Sequence, residues 1–213
     1  MSSAKEEVLK RIRTALHDVQ GRREEDYAGI QRNYTQAGNE NLEQRLSLFT
    51  DRLRDYDATV YDCQESQIAE TVARALSTRE KNRMLVPSGV PEQWLPRNFD
   101  FFRGDGLDFD EIDKHEGVIT GCALAIALTG TIVLRHSSAE GRRALTLIPD
   151  YHLCIVRAEQ VVQSVPEAIR KTNEFATAPI TTISGPSATA DIEMTRIKGV
   201  HGPRTLDVIL VHD

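Results

Sequence analysis

Val8, Ile12, Ala15, Leu16 and Val19 recur at three- and four-residue intervals. That spacing puts them on one stripe and predicts an amphipathic helix over about residues 3–19, ended by Gly21. Residues 21–40 are polar and aperiodic, with Gly29 and Gly38 as breakers, so they read as a linker or wrapping arm. Helical spacing returns with Leu42, Leu46, Phe49 and Leu53. A second helix is therefore expected over 41–56, capped by Asn39 or Asn41.

Beyond it the period changes. Ala58-Thr59-Val60-Tyr61 reads as a strand, 65–77 as a helix carrying Ile68, Val72 and Leu76, and Met84-Leu85-Val86 as a strand closed by Pro87. Strand, helix, strand signals a crossover with parallel pairing. Residues 91–114 are mixed; Pro91 favours a helix start, and Trp94 reads as a packing residue. Residues 117–134, GVITGCALAIALTGTIVL, accommodate three strand-like pieces separated by Gly121 and by Thr129-Gly130-Thr131. A strand is expected over 152–156, short helices over 159–162 and 165–173, and a strand over 180–183 that runs into Ser184-Gly185-Pro186-Ser187. A short helix is expected next, to about Ile197, stopped by Gly199, and then a terminal strand over 207–211. The fold class is α/β: an open, mostly parallel sheet with helices on both faces. The expected division is an N-terminal helix and linker, 1–40, and an α/β domain, 41–213.

Composition narrows the function. Of 213 residues, 40% are apolar, enough for a sizeable core, and the net charge is −6. That balance argues against nucleic-acid binding, and Arg22-Arg23 is neutralised locally by Glu24, Glu25 and Asp26. Cys63, Cys122 and Cys154 are odd in number, widely spaced and set in apolar runs. They read as buried thiols in a reducing, cytoplasmic compartment. Neither a signal-peptide core at Met1 nor a run long enough to span a bilayer is visible.

Dinucleotide, P-loop and nucleophile-elbow motifs are missing, and the six histidines have no metal-ligand spacing. Three small-residue turns remain. Thr129-Gly130-Thr131 combines a flexible backbone with short donors; its plain alternative is a hairpin turn. Ser184-Gly185-Pro186-Ser187, continuing to Thr189 and Asp191, lies after a strand and before the expected helix. Free N–H groups there would hold an anion, or Ser187 or Thr189 would simply cap the helix. Ligands of open α/β sheets sit outside the carboxyl ends of strands, where this turn is expected. Gly199-Val200-His201-Gly202-Pro203 holds a histidine between glycines, a candidate acid–base or ligand-orienting group, or one that closes the loop with a hydrogen bond. Arg142 and Arg143 offer positive charge to an anionic ligand, or lie solvated at the surface. The three turns are expected to converge at one edge of the sheet.

In order and spacing, GVITGCALAIALTGTIVL, GRRALTLIPDYHLCIV, ISGPSATADIE and GVHGPRTLDVILV resemble the LUD-domain family, in its lactate utilization protein C (YkgG-like) branch. The resemblance covers about residues 45–213. It implies a fold like the NagB/RpiA/CoA-transferase group and a part in oxidising L-lactate to pyruvate beside partner subunits. It also implies iron–sulfur clusters on a partner, with no cofactor on this chain. Many relatives carry an acidic residue just before TGT, where this chain has Leu128. Two other readings stay open: a stand-alone isomerase or transferase acting on a phosphorylated or acyl substrate, and a pure assembly or regulatory module.

Overall fold

The computed structural model describes residues 4–16, 29–31, 33–173, 177–190, 196–198 and 202–212. The chain divides into two units, Met1–Thr35 and Gln36–Asp213. The first holds helix α1 (Ala4–Leu16), inside the predicted span. The second begins with α2 (Leu42–Asp55), whose start is fixed by a capping box between Asn41 and Gln44. Then come β1 (Thr59–Gln64), α3 (Ile68–Thr78), β2 (Arg83–Val86), β3 (Asp100–Arg103), α4 (Phe109–Asp113) and β4 (Gly117–Thr120). These are followed by β5 (Leu124–Ile126), β6 (Thr131–Leu134), β7 (Tyr151–Arg157), β8 (Val161–Val162) and α5 (Val165–Thr172). The chain continues through β9 (Thr181–Ile183), β10 (Ala188–Ala190), β11 (Arg196–Lys198) and β12 (Thr205–His212).

The main sheet has six strands in the order β1-β12-β7-β4-β2-β3, all parallel. Strands β1 and β2, joined through α3, lie in this sheet but are not neighbours. Central β7 and β12 are buried on both faces, which is why their sequences are nearly continuous in apolar residues. Successive side chains point to opposite faces. Leu153, Ile155, Ile209 and Val211 therefore pack with Ile68, Val72 and Leu76 of α3 and with Trp94. Cys154, Val156, Leu206, Val208 and Leu210 pack on the other face, against Leu46, Phe49 and Leu53 of α2. Each such fully buried side chain contributes about 1.5–3 kcal/mol. All three cysteines are buried, as expected.

That second face is not covered by helices alone. A four-stranded sheet, β8-β5-β6-β9, lies over it through Ala125, Ile132 and Leu134. Leu124, Ile126 and Val133 face the other way, toward Val162 and Ala168 of α5. The expected helix over 159–162 is instead one 3-10 turn, Ala158–Gln160, followed by β8. The β-branched pair Val161-Val162 gains more by pairing with Ala125 and Ile126 than by extending a short helix. The expected helix from 188 to 197 is also absent in the described residues: β10 and β11 pair there as an antiparallel ribbon. The short pattern Ala188-Thr189-Ala190 suits a strand, and its pairing with Arg196–Lys198 prevails over the capping potential of Ser187 and Thr189.

Asp207 places a carboxylate at the centre of the main sheet. Asp207 is 0% exposed and accepts two hydrogen bonds from Arg79, at 2.6 and 3.0 Å, and one from the Tyr151 hydroxyl at 3.0 Å. Burial first, then the neighbouring Asp207 carboxylate, pushes the Tyr151 phenol above its ordinary range. Among the described residues no helix is long and apolar enough to cross a membrane.

Candidate ligand-binding site

The alternation that builds the core also aims one histidine. His152 occupies the second position of β7, on the face shared with Cys154 and Val156 and away from Leu153 and Ile155. It is 1% exposed, and burial drives its pKa down to about 4, so the ring is neutral near pH 7. Nε2 lies 2.8 Å from Thr120 Oγ1 on neighbouring β4. Nδ1 is buried without a hydrogen-bond partner.

Over this edge β9 runs antiparallel to β6 and delivers the 184–187 turn. Ser184 Oγ lies 2.8 Å from Thr131 Oγ1, which lies 2.7 Å from Thr129 Oγ1. The Ser187 N–H donates to the Pro203 carbonyl at 2.8 Å. The three turns read from the sequence thus meet, as far as their described residues go. A cleft of about 350 Å³ opens between the 184–187 turn and the 202–203 segment, lined among others by Arg143, His152, Thr181, Ser184, Ser187 and Gly202. Gly185 and Pro186 line it too. Gly185 is at φ +81, and a Cβ there would collide with the Tyr56 side chain. Thr129, Gly130 and Thr131 are not part of the cleft wall; they buttress Ser184 through the hydroxyl chain. Gly130 turns β5 into antiparallel β6 at φ +57, beside Arg52 of α2, which is the hairpin role. Leu128 precedes it at 46% exposure.

Two expectations about this region change. With strands at 188–190 and 196–198, no helix N-terminus follows the Ser184–Ser187 turn to offer free N–H groups. The turn does follow its own strand, but that strand belongs to the second sheet. Relative to the main sheet, the cleft lies at the amino ends of β7 and β12, because His152, Pro203 and Leu206 open those strands. Thr189 lies in β10, paired with Ile197. Asp191, Gly199 and His201 fall outside the described residues.

The two arginines separate. Arg143 lines the cleft and donates to Thr181 Oγ1 at 3.3 Å. The same hydroxyl lies 2.7 Å from His136 Nε2, while His136 Nδ1 lies 3.0 Å from the Gly141 carbonyl. His136 adopts φ +56, unusual for a side-chain-bearing residue and held here by both ring nitrogens. Arg142 faces an adjoining cleft of about 490 Å³ with His136, Ser137 and Ser138; its Nε and Nη2 are buried without partners. No local pattern marks His152, His136 or Thr181 as a site residue, because none lies in a small-residue turn or at metal-ligand spacing. A polar residue on the inward face of an otherwise apolar strand was the signal available for His152. Among the described residues no group of three or more His, Cys, Asp or Glu could hold a metal ion.

A wholly parallel six-stranded sheet, a smaller sheet on one face and a polar cleft between turns define an α/β protein with two stacked sheets; its similarity to known proteins over most of its length shows that the chain belongs to the LUD-domain family. The LUD-domain model matches residues 110–211. Lactate utilization protein C of Deinococcus radiodurans is 44% identical over 169 residues, which cover 78% of this chain and 79% of that protein. Uncharacterized protein YkgG of Escherichia coli is 38% identical over 91 residues, 40% of this chain and 39% of that protein. The crystal structure of a DUF162 family protein from Deinococcus radiodurans superposes with a TM-score of 0.72 at 38% identity, covering 81% of this chain and 99% of that one.

Proposed function

We propose that this chain acts in lactate utilization, as a subunit of a system that oxidises L-lactate to pyruvate. In this reading it binds a small carboxylate in the cleft above His152, and partner subunits carry the iron–sulfur clusters and the electrons. The observation that carries it is the cleft itself. It presents the Arg143 guanidinium, the hydroxyls of Thr181, Ser184 and Ser187, and a buried neutral imidazole, in a chain akin to a lactate utilization protein over most of its length. Such a set suits binding and orienting a small anion. Disrupting the chain in its host should abolish growth on L-lactate as sole carbon source, and a wild-type copy should restore it. Undiminished growth would refute the role. A tagged copy from lactate-grown cells should recover an iron–sulfur subunit; recovery of none would remove the partner half.

A further inference from the structure

Arg142 is a half-buried cation that no acceptor or carboxylate engages among the described residues. The loop that carries it is braced from within. The Gly141 N–H donates to the Ser137 carbonyl at 2.7 Å, and the Ser137 N–H donates to Glu140 at 3.0 Å. The His136 ring spans the Gly141 carbonyl and the Thr181 hydroxyl. Glu140 is buried and stays within the loop, its Oε2 accepting from both the N–H and the hydroxyl of Ser137. No carboxylate lies within ion-pair reach of Arg142. Its Nε and Nη2 are sealed against protein without an acceptor, whereas Nη1 is neither sealed nor hydrogen-bonded. Nη1 is therefore the nitrogen that can meet a ligand in the cleft of about 490 Å³ that Arg142 lines. A cation stripped of water on one side costs free energy that a nearby anion offsets, and an unsatisfied polar group of this kind marks the place of a missing partner.

We propose that this second cleft binds the phosphoryl group of a small phosphate monoester, with Arg142 and Arg143 on its oxygens and the ester carbons against Pro179 and Ile180. Arg143 lines the same cleft, as does Ser138, whose hydroxyl no described residue engages. Two guanidiniums and a hydroxyl suit a group that carries about −1.5 to −2 charges near pH 7 and three acceptor oxygens. A carboxylate brings one charge and two oxygens. Asp105 also lines the cleft, but it is exposed, where water screens its charge, and it pairs with neither arginine. The volume exceeds what a lone phosphate fills, and Pro179 and exposed Ile180 give the remainder an apolar wall. Arg143 is the only residue shared with the cleft above His152, so the site stands whether or not a carboxylate binds there.

The test is the melting midpoint of the full chain with phenyl phosphate, inorganic phosphate or sodium chloride at matched ionic strength. About 10 mM phenyl phosphate should raise the midpoint by about 3–6 °C, as a site with a dissociation constant of about 1 mM would. Inorganic phosphate should raise it less, because it lacks the group that covers Ile180. Phosphate also stabilises folded chains by exclusion from their surface, so Arg142→Met carries the comparison. Without ligand the variant should melt no lower than the wild type, because the substitution strands no partner. With phenyl phosphate it should lose most of the rise. Phosphorus-31 spectra of the unaltered chain need no variant: the phenyl phosphate line should broaden or shift when protein is added. Equal rises in both proteins, an unmoved phosphorus-31 line, or a ligand-free variant that melts below the wild type would each overturn the inference. Inorganic phosphate matching the ester would overturn the monoester and assign the cleft to free phosphate.

Discussion

Acidification should expose the cost of burying His152. Its ordinary pKa of 6.5 falls to about 4 in the fold, through burial. Between those values the unfolded chain binds a proton on this ring that the folded chain refuses. Stability therefore rises with pH across the window and is lost as pH falls from about 6.5 toward 4. At about 1.4 kcal/mol per pKa unit, the whole interval is worth about 3 kcal/mol, most of it gone by about pH 4.5. The ring is 1% exposed, so solvent screening takes little from that figure. Urea unfolding at several pH values between about 7 and 4.5 measures it, with His152→Gln as the comparison. Asp150, whose carboxyl is held below its usual range by the Arg204 guanidinium, also loses stabilisation on acidification, but mostly below this window and equally in both proteins. The substituted chain should start less stable and lose about 3 kcal/mol less over the window. Parallel pH profiles for the two proteins, or a His152 ring signal that titrates near 6.5 in the folded state, would refute the reasoning.

Arg79→Met should cost roughly 3 kcal/mol and lower Tm by about 10 °C, because it strands a buried charge. The partly exposed Arg79 side chain puts this at the low end of such losses, and a cost below about 1 kcal/mol would contradict it. Gly130→Ala should cost about 1–3 kcal/mol by equilibrium unfolding, since φ is +57 and a Cβ would lie 2.8 Å from that of Arg52; an unchanged midpoint would show that the hairpin yields easily. Removing residues 1–35 should leave a cooperatively melting α/β domain, and a broad, non-cooperative transition would refute that. Extending the cut through residue 40 should cost about 2–4 kcal/mol more, because Arg170 donates to the Gln36 carbonyl at 2.6 Å and the Gly38 and Glu40 N–H groups donate to Glu167 and Gln163 at 3.0 and 2.9 Å.

Local pattern was enough for the parallel class and for most of the elements. The stripe Leu46, Phe49, Leu53 marks α2, and the unbroken apolar run of β7 marks a strand buried on both faces, because periodicity and burial are written in neighbouring residues. The small-residue turns at 129–131 and 184–187 were visible too, since glycine and hydroxyl residues punctuate the chain. Long-range pairing was not visible. Whether Val161-Val162 continues a helix or joins β5 depends on a partner edge more than thirty residues away in the chain. The same holds for 188–190 and 196–198, two short segments that pair antiparallel with each other. The candidate site shows the divide most clearly. Sequence supplied Arg143, Ser184, Ser187 and Gly202 as polar candidates, each for its own local chemistry. Only the packing of β9 on β6, and of β4 beside β7, decided that they face His152, because a side chain's partners are set by sheet order and register rather than by position along the chain.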